Sequence, residues 1–168
     1  KEAYAALEPE GLLNKHAWLF RDAWVEESAD ELEDIEKIDF QEREERIQKL
    51  RVDAMREIHS QGGLAGLLEL AERGKASWQI GLLAAKDLLS GQELQKFLRL
   101  ALQPVLANND GAHPCKNMIS SAVRAVSDDA NREQILKSVG ADLSEEDMVR
   151  LLLLAPFGRS TWKLVDAL

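Results

Sequence analysis

The stretch Leu67–Trp78, LLELAERGKASW, returns 84 positions later as Leu151–Trp162, LLLLAPFGRSTW. Six positions are identical: Leu67/Leu151, Leu68/Leu152, Leu70/Leu154, Ala71/Ala155, Gly74/Gly158 and Trp78/Trp162. Lys75/Arg159 and Ser77/Thr161 are conservative. Each copy reads as the end of an apolar helix, a glycine break, and the polar start of a second helix with a Trp in its first turn. The offset equals two steps of about 42 residues, the length of one helix pair in an array of stacked helices. Such a pattern specifies architecture and carries no chemistry.

The rest of the chain agrees with helices throughout. Pro9 and Gly11 break a helical start, and Leu12–Trp24 then reads as a short helix with Leu13, Ala17, Phe20 and Trp24 on one face. Asp39, with Glu42 three residues on, caps a long helix over Phe40–Gln61. Its stripe is Phe40, Ile47, Leu50, Ala54 and Ile58, with Met55 beside it, and Gly62-Gly63 ends it. Leu64–Arg73 follows, closed by Gly74. Ser77 is the expected cap of Trp78–Leu89, whose apolar residues on most faces suggest burial between neighbours.

Gln92–Gln103 presents Leu94, Phe97, Leu98, Ala101 and Leu102, and Pro104 should kink or restart it. Asn108–Gly111 is the clearest loop. Pro114 opens a helix to Val126, with Met118, Ile119, Ala122, Val123 and Val126 inward. Asp128 or Asp129 caps Ala130–Val139, Ser144 caps Glu145–Ala155, and Ser160 caps Thr161–Leu168. No segment of strand period has convincing length. At 168 residues the chain can bury a substantial core. The expected division is an N-terminal helical segment with an acidic connector, 1–39, and a helical domain, 40–168. Both ends read as cuts in a longer chain.

No catalytic constellation is visible. His16, His59 and His113 are too widely spaced for a zinc helix, and HExxH is absent. His113-Pro114-Cys115 supplies at most one ligand pair, so the plainer reading is a loop His beside a helix-start Pro, with Cys115 packing as a small apolar residue. A nucleophile elbow, a dinucleotide fingerprint and a Walker A loop are all missing. Carboxylate pairs such as Glu42/Glu45 and Glu145/Glu146 fall on polar helix faces. Neither catalysis nor a metal or other cofactor is expected. One cysteine excludes an internal disulfide and fits a reducing, cytoplasmic setting. The longest apolar run, Leu151–Phe157, is seven residues, far short of a membrane span.

Charge is uneven. Residues 1–61 hold 17 acidic and 9 basic side chains, a net −8, whereas residues 62–168 are nearly balanced at −1. An acidic first third argues against nucleic acid or anionic lipid, which need clustered Lys and Arg. Glu26–Asp39, EESADELEDIEKID, is either a solvated connector or an acidic docking strip for a protein or peptide, and it lacks the Gly of a calcium loop. Trp18, Phe20 and Trp24 beside Glu31 and Asp34 form the candidate partner-binding set, an apolar anchor with an acidic rim. Trp78 and Trp162 are expected in the core, each costing roughly 3–5 kcal/mol on change to Ala.

The repeated LLxLAxxGxxxW pattern and its helix-pair period resemble HEAT-type α-helical repeats over roughly residues 40–168. They are also similar to helical segments of large, uncharacterised bacterial multidomain proteins. The fold expected is all-α: antiparallel helix pairs stacked as a short HEAT-like solenoid, or an irregular helical bundle. The resemblance implies a non-catalytic scaffold that binds a protein or peptide partner, and it implies no site residues. An accessory domain of an enzyme whose catalytic domain lies elsewhere is the alternative. Oligomeric state is not legible.

Overall fold

A computed structural model describes residues 11–25, 39–108 and 113–168. Every regular element among the described residues is helical. The chain divides into two compact units, Lys1–Ala76 and Ser77–Leu168. Within the first unit, arginines of the long helix grip the backbone of residues 19–25.

In the first unit, α1 spans Leu12–His16 and continues as a 3-10 segment, Ala17–Phe20. The single helix expected over Leu12–Trp24 is thus tighter and shorter. Its last carbonyls turn toward a neighbour: Arg51 donates to the oxygens of Leu19 at 2.9 Å and Ala23 at 3.1 Å. α2 spans Phe40–Arg73. Asp39 caps it as expected, its carboxylate accepting from the Gln41 and Glu42 amides. The Gly62-Gly63 break falls where expected: two helices meet there at a kink, and the range of α2 covers both. Gly63 takes φ 59° and ψ −153°, a conformation only glycine adopts readily, and the helix resumes.

Ile47, Ala54, Met55, Ile58, Leu67, Leu70 and Ala71 of α2 are buried with Leu19, Phe20 and Val25. Burial of each large aliphatic stabilises the unit by about 1.5–3 kcal/mol. Phe40 departs from the expected stripe and is 55 % exposed. Arg43 and Arg51 take buried places on that face instead. Desolvation is the main cause lowering the Arg51 pKa, and Glu44 opposes it.

In the second unit, α3 (Ser77–Leu83) widens into a π-type turn, Ala84–Leu88, and is followed by α4, Gly91–Ala107. α5 is Pro114–Ala125, α6 Asp129–Gly140, α7 Glu145–Leu152 and α8 Arg159–Val165. All five expected core positions of α4 are buried, and Val105 extends the stripe by one turn. α4 runs through Pro104 without restarting. Pro114 begins α5, and its five expected core residues are buried.

Asp128 caps α6 and Ser144 caps α7. Ser77 and Ser160 are not caps. Ser77 is the first helical residue of α3 and donates to the Pro114 oxygen at 2.9 Å, and Ser160 is buried inside α8, whose cap is Gly158. α7 stops at Leu152, short of the expected Ala155.

Replacing Arg51 by Met keeps an unbranched apolar stem and removes its donors. Urea unfolding should show a loss of about 2–4 kcal/mol, because the buried Leu19 carbonyl and the part-buried Ala23 carbonyl lose charge-assisted partners. A loss under about 0.5 kcal/mol would show that water satisfies those carbonyls equally well.

Candidate functional surfaces

The expected partner-binding set is only partly on the surface. Trp18 is 38 % and Trp24 50 % exposed, but Phe20 is completely buried. Phe20 therefore serves the core of its unit and offers nothing to a partner. Trp24 is held by two contacts. The Arg43 guanidinium lies 4.0 Å over its ring, and Phe40 is 6.0 Å away, tilted by 49°. Arg43 also donates to the Val25 oxygen, so the Trp24 face is anchored to α2 through one cation. Glu31 and Asp34 lie outside the described residues.

The three histidines sit in unrelated places. His16 Nε2 is 2.7 Å from Glu57 Oε2, with Lys15 Nζ 3.7 Å from the other oxygen. His113 Nδ1 accepts from the Cys115 amide at 3.2 Å, capping α5, and His59 lies half-buried on α2. Cys115 is 1 % exposed and packs as the small apolar residue expected. Among the described residues no group of three His, Cys, Asp or Glu side chains is placed to hold a metal ion. Nor is any helix among them long and apolar enough to cross a membrane.

Trp78 and Trp162 are not in the core. They are 40 % and 55 % exposed, and each borders a groove. The helix that follows each glycine break turns a different face inward: Ile80, Gly81 and Leu83 in α3, and Ser160, Thr161 and Leu164 in α8. The indole is left on the outer side.

The C-terminal groove holds about 250 Å³ between α7 and α8. Val149, Leu152 and Leu153 form one wall, and Trp162, Val165 and Leu168 the other, with Phe157 at the turn. Phe157 is 87 % and Leu153 74 % exposed. The rings of Phe157 and Trp162 pack 6.4 Å apart. Thr161 is the one polar residue in the lining, and its hydroxyl donates to the Pro156 oxygen at 2.8 Å. Everything this groove offers a ligand is therefore apolar.

A signal for this surface exists in the sequence. Leu151–Phe157 is seven apolar residues in a row, and a 3.6-residue period cannot point all of them at one core. A wider trough of about 730 Å³ lies between α3 and α5 and includes Trp78. In the first unit a hollow of about 460 Å³ between α1 and the second half of α2 has its charged rim already paired, Arg73 to Glu69 at 2.6 Å.

Comparison of the chain with protein-family models, curated proteins and solved structures finds no match.

Two outcomes test this description. Trp78→Ala and Trp162→Ala should each cost less than about 1.5 kcal/mol in urea unfolding, whereas Leu67→Ala, at a fully buried site, should cost about 2–5. The second concerns acid. Hydrogen bonding to His16 is the largest cause holding the Glu57 carboxyl below its ordinary 4.5, with Lys15 adding to it and desolvation opposing. A carboxylate with a depressed folded pKa stabilises the fold above its unfolded pKa, and that contribution is lost as pH falls through the folded value. Between about pH 5 and pH 3, stability should thus fall less steeply in Glu57→Gln than in the parent chain. Parallel curves would show that the contact contributes nothing.

Proposed function

We propose that this chain is a non-catalytic helical-repeat domain that binds a protein partner, taking the apolar face of an amphipathic helix into the groove between α7 and α8. The observation that supports it is the concentration of exposed Leu153, Phe157, Trp162, Val165 and Leu168 around one trough. Large apolar side chains left exposed together mark interaction sites on soluble proteins, whereas single ones do not. Val149, Leu152 and Leu153 recur at helical spacing, and so do Trp162 and Val165. Two such rows make the walls that a third helix fits.

The HEAT-like reading of the repeated motif belongs to the same proposal. In a stacked array an apolar face of a helix pair must be covered by another helix. The open apolar face of α7 and α8 favours a helix as the cover. The aromatic pair Phe157 and Trp162 suits the anchor role, since aromatic residues dominate binding energy at the centre of interfaces.

The test uses a labelled helical peptide with a Leu face and uncharged polar residues elsewhere. Fluorescence anisotropy should report binding that is insensitive to salt, and Leu153→Asp should weaken it by at least about tenfold. Methyl shifts of Val149, Leu152 and Val165 should move on titration. Binding that survives Leu153→Asp would remove the groove from the reading. Sedimentation showing a dimer that Leu153→Asp dissolves would assign the face to a second copy of this chain.

A further inference from the structure

The trough between α3 and α5 has a different character, and the difference specifies a ligand. The two helices run antiparallel, since the Trp78 oxygen accepts from Ser121 Oγ at 2.6 Å while Gly81 meets Met118 further along. A Cβ at Gly81 would overlap the Met118 carbonyl oxygen, so only glycine lets the backbones touch there. Trp78, Leu82 and Lys86 follow one another along the α3 side at steps of four. Asn117, Ser120 and Arg124 line the α5 side. Because the helices are antiparallel, Lys86 and Arg124 stand at opposite ends of the trough with the half-exposed indole of Trp78 between them.

The lining contains two cations and no carboxylate, in a chain whose net charge is −9. Many other arginines are committed to carbonyls or carboxylates, among them Arg51, Arg73, Arg99, Arg132 and Arg150. The side chains of Lys86, Arg124, Asn117 and Ser120 form no hydrogen bond or ion pair with any described residue. A helix C-terminus favours a cation in its last turn, which accounts for Lys86 and Arg124 singly. It does not account for an open apolar face between two cations that no acid neutralises.

We infer that this trough is a second docking site, specific for an acidic peptide segment that also carries apolar side chains. Carboxylates would pair with Lys86 and Arg124, Asn117 and Ser120 would bond the peptide's polar groups, and an apolar side chain would lie on Trp78 and Leu82. A nucleic-acid backbone or an anionic membrane is disfavoured, because two cations release too few counterions to hold either. The site is separate from the α7–α8 groove, and its test is run with that groove blocked by Leu153→Asp.

The probe is a fluorescein-labelled peptide of about 14 residues, four helical turns, with Leu at every third or fourth position and Glu elsewhere. Its twin carries Lys in place of each Glu. The acidic peptide should bind the full chain at about 0.05 M salt and weaken at about 0.5 M. Lys86→Glu with Arg124→Glu should weaken it by at least about tenfold and make the basic twin the better ligand. All of these measurements are made in the Leu153→Asp background, where the α7–α8 groove no longer takes a Leu-faced helix, and Trp78→Ser should weaken the acidic peptide there. Circular dichroism and urea midpoints of each variant separate loss of fold from loss of binding. The inference is overturned by equal binding of both twins, by binding that survives the double reversal, by no binding of the acidic peptide at low salt, or by tighter binding of an oligonucleotide or an anionic vesicle.

Discussion

A backbone carbonyl at the end of a helix has no partner within that helix, and when it is buried something must supply one. Here arginine supplies it repeatedly. In the first unit Arg51, with no exposed side-chain surface, holds the oxygens of Leu19 and Ala23, and Arg43 holds that of Val25. In the second, Arg132 of α6 closes the end of α5 at Val123 and Val126. Arg150 of α7 closes the end of α4 at Val105 and Leu106, both at 3.0 Å, and Arg99 of α4 reaches the Ser138 oxygen near the end of α6.

The guanidinium suits this work because its donors lie in one plane and serve several carbonyls at once. Its positive charge also meets the negative pole of the helix it closes. Each tie joins two elements, so the register of one helix against the next depends on it. Without these ties the apolar stripes would still bury, but they would not fix where each helix stops.

Much of the architecture was legible in the sequence because it rests on local rules. The helical period, the caps at Asp39, Asp128 and Ser144, the proline at the head of α5 and the inward faces of α4 and α5 all follow from residues within a turn or two of one another. The errors have a common origin in distant contacts. Ser77 lost its expected cap role to a hydrogen bond with Pro114, 37 residues away. The helix expected to reach Trp24 yielded to Arg51. Two arginines on the buried face of α2 look, in sequence, like two more surface charges.

The surfaces were less legible, and the tryptophans show why. Composition marks Trp as core or interface without saying which, and the decision depends on how many neighbours the fold supplies. Phe20, placed with Trp18 and Trp24 as an anchor, found enough of them and is buried. Trp78 and Trp162 did not, although both follow the same leucine-rich stretch and glycine. Their matching sequence therefore fixes matching local placement, an indole on the outer side of a helix start. What lies opposite each one differs: serines, an asparagine and cations beside Trp78, and aliphatic and aromatic side chains beside Trp162.

One residue without any proposed role gives access to the dynamics of the second unit. Cys115 is the only thiol in the chain, and it lies buried in the first turn of α5. A thiol reagent reaches it only when that turn comes away from its neighbours. Modification kinetics at this single atom thus act as a clock for the opening of α5. With reagent in excess and closing fast, the rate gives the free energy of that opening; with closing slow, it gives the opening rate itself. The protein carries its own reporter of how often the floor of the α3–α5 trough is undone.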